Sequence, residues 1–214
     1  MGGTTPKQFL QIDGREILAR TLEAFEHCAV ITEIWVIVAA EQCAWCHEAI
    51  VQRYGFHKVR GVVAGGVTRQ ESVWRGLQRV AETVEMVVVH DGVRPFVTAC
   101  LVHQTLASAS RHGAAIAAVP LKDTLKRVSE AGTVEDTVPR ERLWRVQTPQ
   151  AFQSALLRAA FEHAWRQGIE ATDEAGLIEA LGHPVQVVPG YEHNVKITTP
   201  DDLIFCATLL RSRT

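Results

Sequence analysis

The chain has 214 residues, of which 47% are hydrophobic and 21% are charged, and its formal net charge at pH 7 is −2. These fractions exclude a disordered, collagen-like or coiled-coil chain, and the small negative charge excludes a general attraction to nucleic acid or to anionic membranes. We therefore expect one domain, residues 1–214, in which any phosphate ligand is bound by cations placed at a particular site.

Cysteine usage and the lack of export signals favour a cytoplasmic protein. The five cysteines are irregularly spaced, no apolar run has the length of a membrane span, and the first residues lack a signal-peptide pattern. We interpret the cysteines as reduced thiols. The CAWCH segment at 43–47 matches the attachment motif of c-type haem, but it lies in a predicted ordinary helix at 41–53 and no second Cys-x-x-Cys completes a zinc site. We therefore expect neither haem nor metal there.

In chain order, predicted strands alternate with predicted helices up to Pro120. A short apolar run rich in β-branched residues predicts a buried strand at 34–39, and further strand candidates follow at 59–64, 86–90 and 114–119. The spacing of apolar residues predicts helices at 15–28, 69–83 and 99–111. This alternation indicates βαβ units, so we predict the α/β class with a doubly wound, mostly parallel sheet.

The pattern changes after Pro120. Charged and apolar residues alternate around Ala131 and Gly132, which predicts a hairpin-like projection at about 121–148, called the β-arm below. Its exposed edge would carry several apolar side chains, Leu125, Val128, Val138, Leu143 and Trp144. Such an edge is better explained by a partner subunit than by solvent. Helices at 154–168 and 173–181, a strand at 185–188 and a last helix from about 201 complete the prediction.

The segment VVVHDGVRPF carries the first candidate site. A strand ends at His90 and brings Asp91, Gly92 and Arg94 to its carboxyl end, the edge at which open parallel sheets bind ligands. Asp91 offers the hard oxygen ligand that Mg²⁺ prefers, and Arg94 can bind a phosphate through two hydrogen bonds. The same residues are also compatible with a strand-end turn and a surface ion pair.

Two further segments carry candidate residues. In AGGVTRQES, a glycine pair leads into a helix that begins near Thr68, so free N–H groups could bind an anion or a base edge, and Arg69 and Ser72 share a helix face. Many strand-to-helix turns carry two glycines for geometry alone, and the spacing is not that of a Walker P-loop. In HNVKITTPDDL, Thr199 and the proline after it cap a helix, which leaves Lys196 as the residue without a structural reason.

The order of the motifs carries a family resemblance. PKQFLxxxGxxIL, AGGVTRQESV, HDGVRPF, PLKDTLKR, QTPQAF, ATDEAGLIE and NVKITTPDDL follow one another from Met1 to about Leu210. The chain thereby resembles the 2-C-methyl-D-erythritol 4-phosphate cytidylyltransferases of the non-mevalonate isoprenoid pathway. The resemblance implies a nucleotide-diphospho-sugar transferase-like fold, transfer of CMP from CTP to methylerythritol phosphate with release of pyrophosphate, a divalent cation such as Mg²⁺ with no organic cofactor, and a homodimer joined through the β-arm.

The opening MGGTTPKQFL matches only the end of the N-terminal glycine-rich loop of that family. Its members begin earlier, with a strand and a glycine-rich A-A-G-x-G-x-R-M-G loop that wraps the CTP phosphates and supplies a catalytic arginine. Loss of a central strand would expose apolar area worth about 25 cal/mol per Å². We therefore expect that the given sequence starts inside the true reading frame or is truncated, and a protein that has lost activity is the third option.

The resemblance also implies a role for each candidate residue. Catalysis by charge stabilisation is implied for Lys7 and Lys196, and contact with the metal and the methylerythritol phosphate for Asp91. The cytidine side of the pocket is implied for three residues, Gly66, Arg69 and Ser72. The sugar phosphate would be bound by Arg94, Thr124 and Lys196, and also by Arg140, which the β-arm would donate across the dimer. The role of the matching Thr172 and Asp173 is left open.

These residue types suit the chemistry. A phosphate monoester has its second pKa at about 6, so the nucleophile is already an anion at neutral pH and needs no general base. In-line attack on the α-phosphorus of CTP builds negative charge that lysines and Mg²⁺ would stabilise, while arginines position the incoming phosphate. None of the nine histidines is needed, and His90 is interpreted as a strand-end packing residue.

Other functions remain open at this point. Ribitol 5-phosphate cytidylyltransferases share PKQFL, HD-x-VRPF and QTPQ, but they depart from this chain at PLKDTLKR and ERLWRVQTPQAF. A non-catalytic binding or dimerising protein is the alternative of another class. A nicotinamide-dependent oxidoreductase is disfavoured because no G-x-G-x-x-G precedes an acidic residue.

Overall fold

The predicted alternation of strands and helices is present in the computed structural model, which describes residues 6–211. The strands are β1 (Gln11–Ile12), β2 (Arg15–Glu16), β3 (Ile34–Val38), β4 (Val59–Ala64), β5 (Met86–Val89), β6 (Ala114–Pro120), β7 (Leu125–Val128), β8 (Val134–Val138), β9 (Trp144–Gln153) and β10 (Gln186–Pro189). The helices are α1 (Ile17–Glu26), α2 (Cys43–Cys46), α3 (Arg69–Leu77), α4 (Ala99–His112), α5 (Ser154–Gln167), α6 (Glu174–Ala180) and α7 (Pro200–Arg211). None of the helices between residues 6 and 211 has the length and hydrophobicity that a bilayer crossing requires.

Two helical predictions differ from the structure. Helix α3 ends at Leu77 rather than near residue 83, because the Arg158 guanidinium donates hydrogen bonds to the carbonyl groups of Leu77 and Val80 and satisfies the helix end. The segment at 41–53 is not one ordinary helix, since a 3₁₀ turn and α2 are followed by a π-helical turn, His47–Gln52. Within it Cys46 is buried, and burial together with the nearby Cys43 raises the pKa of its thiol to about 12. This thiol therefore packs as an apolar side chain.

The main sheet contains four strands in the order β10-β6-β9-β5. Strand β10 is parallel to β6, whereas β9 is antiparallel to both of its neighbours. Strands β3 and β4 form a separate parallel pair. The α/β class with a parallel-rich sheet is thus as predicted, but the antiparallel β9 was not foreseen. Its pairing with β6 begins at Trp144, so residues 144–148 belong to the main sheet and not to the β-arm, whose predicted end at 148 is wrong.

Helices cover both faces of the main sheet. Successive side chains of β6 point in opposite directions, so neighbouring residues pack against different helices. Ala114 packs with Phe152 and residues of α5 and α6, while Ala115 and Ala117 pack with residues of α4. These small side chains are fully buried. They allow the two helical layers to approach the strand closely, which is the arrangement of a doubly wound sheet.

A gap separates the β3–β4 pair from the four-stranded main sheet. In the part of the chain that the structure describes, β3 and β5 have no strand between them, and a cavity of about 510 Å³ lies there. Val36 of β3, Val88 of β5 and Leu22 of α1 are among the residues that line it.

The β-arm consists of β7 and β8, which pair antiparallel. The turn between them contains Gly132 at φ +79°, a conformation that favours glycine. Leu125, Val128 and Val134 expose their apolar side chains on this hairpin. Strands β7 and β8 thus form a hairpin in this segment, while its projection as an arm and its role in a dimer stay predictions.

Replacement of Phe152 tests the central position of β9. Phe152→Ala should lower the free energy of unfolding by about 3–5 kcal/mol, because a fully buried aromatic side chain leaves a cavity. Chemical denaturation measures the change. The neighbouring, exposed Gln153→Ala is the matched control and should change stability by less than about 0.5 kcal/mol. Equal losses for both variants would contradict the assigned register.

Candidate functional site

The candidate site lies at one end of the cavity between β3 and β5. Strand β5 continues into Asp91, the turn after β4 leads into α3 with Arg69, and an extended segment after β10 carries Lys196. These three residues line the cavity together with Lys7, which lies in a 3₁₀ turn, Lys7–Phe9, and with Ser72 of α3. Ligands of open α/β sheets bind at the carboxyl ends of the strands, and the site has that position.

Asp91 is the centre of a charge cluster. Its Oδ2 lies 3.1 Å from Nε of Arg94 and 3.2 Å from Nζ of Lys196, and its Oδ1 lies 4.0 Å from Nε of Arg69. The carboxylate is only 13% exposed. Burial favours its neutral form, but Lys196 and Arg94 outweigh burial, so the pKa of Asp91 is lowered from its usual value. Asp91 is therefore charged at neutral pH and holds three predicted cations close together.

Residues of β9 and of the segment after β10 hold this cluster in place through hydrogen bonds. The Asp91 N–H donates to Oγ1 of Thr148 at 3.1 Å, and Nη1 of Arg94 donates to the backbone carbonyl of Asn194 at 2.9 Å. Nδ2 of the fully buried Asn194 in turn donates to the Thr148 carbonyl at 2.8 Å. Our sequence interpretation missed Thr148 and Asn194.

A second ion pair holds Arg69. Its Nη1 and Nη2 lie 2.8 and 2.9 Å from Oε1 and Oε2 of Glu174, the first residue of α6. Burial disfavours the charged guanidinium, but the attraction of Glu174 outweighs burial, so the pKa of Arg69 is raised. Glu174 is another residue that the sequence interpretation missed, although the adjacent Thr172 and Asp173 were noted. The Thr172 carbonyl accepts a long hydrogen bond of 3.5 Å from Arg69.

The glycine turn before α3 differs from the expectation. Oγ of Ser72 accepts the N–H of Gly66 at 3.0 Å, and a carboxylate oxygen of Glu71 accepts the N–H of Val67 at 2.7 Å. The expectation that the turn presents free N–H groups is therefore wrong for these two residues. A Cβ at Gly66 would overlap the Glu71 side chain, so close packing accounts for the glycine. The predicted helix start at Thr68 is correct, because Oγ1 of Thr68 accepts the N–H of Glu71.

Two predicted substrate ligands lie away from the cavity of their own chain. Thr124 is exposed immediately before β7, and Arg140 is exposed after β8. The Arg140 guanidinium donates a hydrogen bond to the Lys122 carbonyl. The structure therefore places Lys7, Asp91 and Lys196 along one cavity with Arg69 and Ser72, and Arg94 beside Asp91. Gly66 and the two β-arm residues do not line that cavity.

His90 has the environment of a packing residue. Its Nε2 donates to the Arg94 carbonyl at 3.2 Å, and its ring lies 4.8 Å from that of Phe25. Burial lowers its pKa from 6.5 to about 4. His90 is therefore neutral at physiological pH and supports the backbone of the Asp91 turn.

Asp91 fits one kind of metal site. Within residues 6–211 no group of three or more His, Cys, Asp or Glu side chains could hold a metal ion. Mg²⁺ needs fewer protein ligands when substrate phosphates and water complete its coordination, and one or two carboxylates are usual. Oδ1 of Asp91, which lies 4.0 Å from Nε of Arg69, fits that ligand set.

The charge cluster predicts a pH-dependent contribution of Asp91 to stability. Because the folded-state pKa of Asp91 is lowered, its contribution is complete above the unfolded value of about 3.9 and is lost as the pH falls through the folded pKa. Asp91→Asn should therefore cost about 1–3 kcal/mol at pH 7, and the difference from the wild type should shrink in acid. Urea denaturation from pH 7 to pH 3 measures this, with the exposed Asp123→Asn as control. A difference that grows in acid would contradict the assigned cluster.

Comparisons with known proteins agree with the resemblance read from the motifs. The family model described as IspD, 2-C-methyl-D-erythritol 4-phosphate cytidylyltransferase, matches residues 1–212. A protein of that name from Geotalea uraniireducens is 44% identical over 214 residues, which are 99% of this chain and 91% of the relative. A bifunctional enzyme IspD/IspF from Desulforudis audaxviator is 48% identical over 210 residues, which are 98% of this chain but 53% of that relative. The chain thus spans about half the length of the bifunctional relative.

Solved structures show the same relationship. A 2-C-methyl-D-erythritol 4-phosphate cytidylyltransferase from Thermus thermophilus superimposes with a TM-score of 0.81 at 40% identity, covering 96% of this chain and 94% of its own. A 4-diphosphocytidyl-2C-methyl-D-erythritol synthase from Anaerococcus prevotii gives a TM-score of 0.85 at 32% identity, covering 94% of this chain and 88% of its own. The chain therefore belongs to the 2-C-methyl-D-erythritol 4-phosphate cytidylyltransferase family.

Proposed function

We propose that this protein transfers CMP from CTP to 2-C-methyl-D-erythritol 4-phosphate and releases pyrophosphate, in the biosynthesis of isoprenoid precursors. One observation carries the proposal beyond family membership. Lys7, Arg69, Asp91 and Lys196, which come from four distant parts of the sequence, line one cavity at the carboxyl ends of the strands. Cations gathered at such a position are suited to two phosphorylated substrates.

The reaction requires charge neutralisation more than proton transfer. A phosphate oxygen of methylerythritol phosphate forms a bond to the α-phosphorus of CTP, and the bond from that phosphorus to the bridging oxygen breaks as pyrophosphate leaves. Lys7 stabilises the charge that builds on the triphosphate, and Lys196 and Arg94 bind the attacking phosphate. Because Asp91 already orients Arg94 and Lys196, these cations need little rearrangement as the negative charge shifts.

Mg²⁺ is the cofactor that we propose for this site, with Asp91 as its protein ligand. When bound, the ion would neutralise charge on the triphosphate oxygens. The Asp91 carboxylate suits this role because it is charged at neutral pH and lies at the cavity rim beside the proposed phosphate-binding residues.

The β-arm supports a proposal about assembly. Leu125, Val128 and Val134 are exposed on the hairpin, and exposed apolar edges of this kind pair with another chain in many proteins. We propose a homodimer in which Arg140 and Thr124 of one protomer reach the phosphate site of its partner. The free thiols, among them the exposed Cys100, favour a reducing compartment, so we propose a cytoplasmic location.

A competition assay tests the substrate. Given CTP, Mg²⁺ and both sugar phosphates, the protein should turn over methylerythritol phosphate with a kcat/KM at least about tenfold above that for ribitol 5-phosphate. Pyrophosphate release and identification of the cytidylyl product measure this. Preference for ribitol 5-phosphate would overturn the proposed substrate. Folded, CTP-binding protein that releases no pyrophosphate with either sugar would favour the non-catalytic alternative.

Arg140→Ala tests the contribution of the β-arm. The KM for methylerythritol phosphate should rise at least about tenfold, while the KM for CTP should change by less than about twofold, because only the sugar phosphate loses a charged ligand. Arg142→Ala, which removes an exposed arginine from the same loop, is the matched control and should leave both values unchanged.

Mixed dimers separate a trans contribution from a local one. Arg140→Ala and Lys196→Ala protomers are assayed at a methylerythritol phosphate concentration well below the raised KM, where each variant alone turns over slowly. A mixture of the two should regain part of the activity, because one site of the mixed dimer contains both residues. No recovery in a mixture that forms mixed dimers, or equal losses for both substrates in Arg140→Ala, would contradict the role of Arg140.

A further inference from the structure

We infer that Glu174 is a positioning residue for the nucleotide, which acts by holding the Arg69 guanidinium at the rim of the cavity through a buried ion pair with two hydrogen bonds. The inference rests on the proposed function, in which Arg69 lies on the CTP side of the site. It concerns a residue to which neither the motifs nor the comparisons gave a role.

The ion pair is asymmetric in its exposure. The Glu174 side chain is 1% exposed, whereas that of Arg69 is 35% exposed. Both carboxylate oxygens accept from the terminal nitrogens of Arg69, at 2.8 and 2.9 Å. The remaining donor, Nε, points instead toward Oδ1 of Asp91 at 4.0 Å. The buried anion is thus satisfied, while the guanidinium keeps one side facing the cavity that it lines.

Glu174 is itself held by the sheet. The preceding Asp173 accepts the N–H of Gly176 at 3.0 Å and so caps α6, and its other oxygen accepts Nε2 of Gln150 at 2.8 Å. Gln150 is buried in β9, two residues after Thr148, which binds the backbone of Asp91. One strand therefore sets the position of Asp91 and, through α6, the position of Arg69.

A purely structural role would be to attach the loop before α6 to α3, but another residue already does this. The side chain of the buried Gln70 donates to the Ile169 carbonyl at 3.2 Å and accepts the N–H of Ala171 at 3.0 Å. A buried carboxylate also costs free energy unless a partner compensates it, so it is a poor choice for attachment alone. Orientation of Arg69 accounts for the charge, and the Gln70 contacts do not require it.

Equilibrium CTP binding to the full chain, measured by calorimetry, tests the inference. Glu174→Gln should weaken CTP binding at least about tenfold, because the neutral side chain no longer fixes the guanidinium. Glu174→Asp, which keeps the charge but shortens the reach, should show a smaller loss. The KM for methylerythritol phosphate should change by less than about twofold in both variants. Glu179→Gln, which removes an exposed carboxylate from the same helix, is the matched control and should bind CTP as the wild type does.

A double variant shows whether Glu174 acts through Arg69. In an Arg69→Gln background, Glu174→Gln should weaken CTP binding by no more than about a further twofold, since the group that it positions is gone. The double variant should also unfold at a higher temperature than Arg69→Gln alone, because Arg69→Gln leaves a buried carboxylate unpaired. If Glu174→Gln alone folds poorly, the comparison of the double variant with Arg69→Gln still tests the inference.

The outcomes separate the inference from the proposed function. Wild-type affinity in Glu174→Gln, or fully additive losses in the double variant, would overturn the positioning role while the proposed function stands. Equal losses of affinity for CTP and methylerythritol phosphate would show that Glu174 only stabilises the fold, and would also overturn the positioning role. A wild-type chain that binds no CTP would overturn the proposed function together with the inference.

Discussion

The Asp91 carboxylate is the group on which the arrangement of the site depends. Arg69, Arg94 and Lys196 belong to three separate segments, and their charges would repel one another at this distance if the carboxylate were absent. Because Asp91 is mostly buried, solvent and salt screen these interactions less than at the surface. The position of Asp91 at the end of β5 therefore decides where the cations converge.

Strand β9 provides the support behind that carboxylate. It lies between β6 and β5 and is antiparallel to both, and it contributes polar side chains in the interior of the sheet. Thr148 binds the backbone of Asp91, and Gln150 binds the cap of α6. These hydrogen bonds connect β9 to residues on two sides of the site. The sheet core and the site are consequently one network.

Local pattern predicted much of the fold. Short apolar runs identified β3, β4, β5 and β6, and the proline after Thr199 identified the start of α7, because these signals depend on residues a few positions apart. The early end of α3 could not be predicted, since Arg158 is eighty-one positions from the Leu77 carbonyl that it binds. The internal hydrogen bonds of the glycine turn were also not predicted, although they join residues only a few positions apart. The motif gives the residue types but does not say whether Ser72 and Glu71 face the turn or a ligand.

By itself the sequence determined the α/β class, the family and most of the charged residues at the cavity, because residue types and their local spacing carry that information. Only the tertiary structure decided that β9 runs antiparallel through the main sheet, that Asn194 and Thr148 support the Asp91 turn, and that Glu174 holds Arg69. The physical reason is sequence separation. Arg69 and Glu174 are 105 positions apart, and their contact exists only after α3 and α6 have packed together and excluded water from the carboxylate.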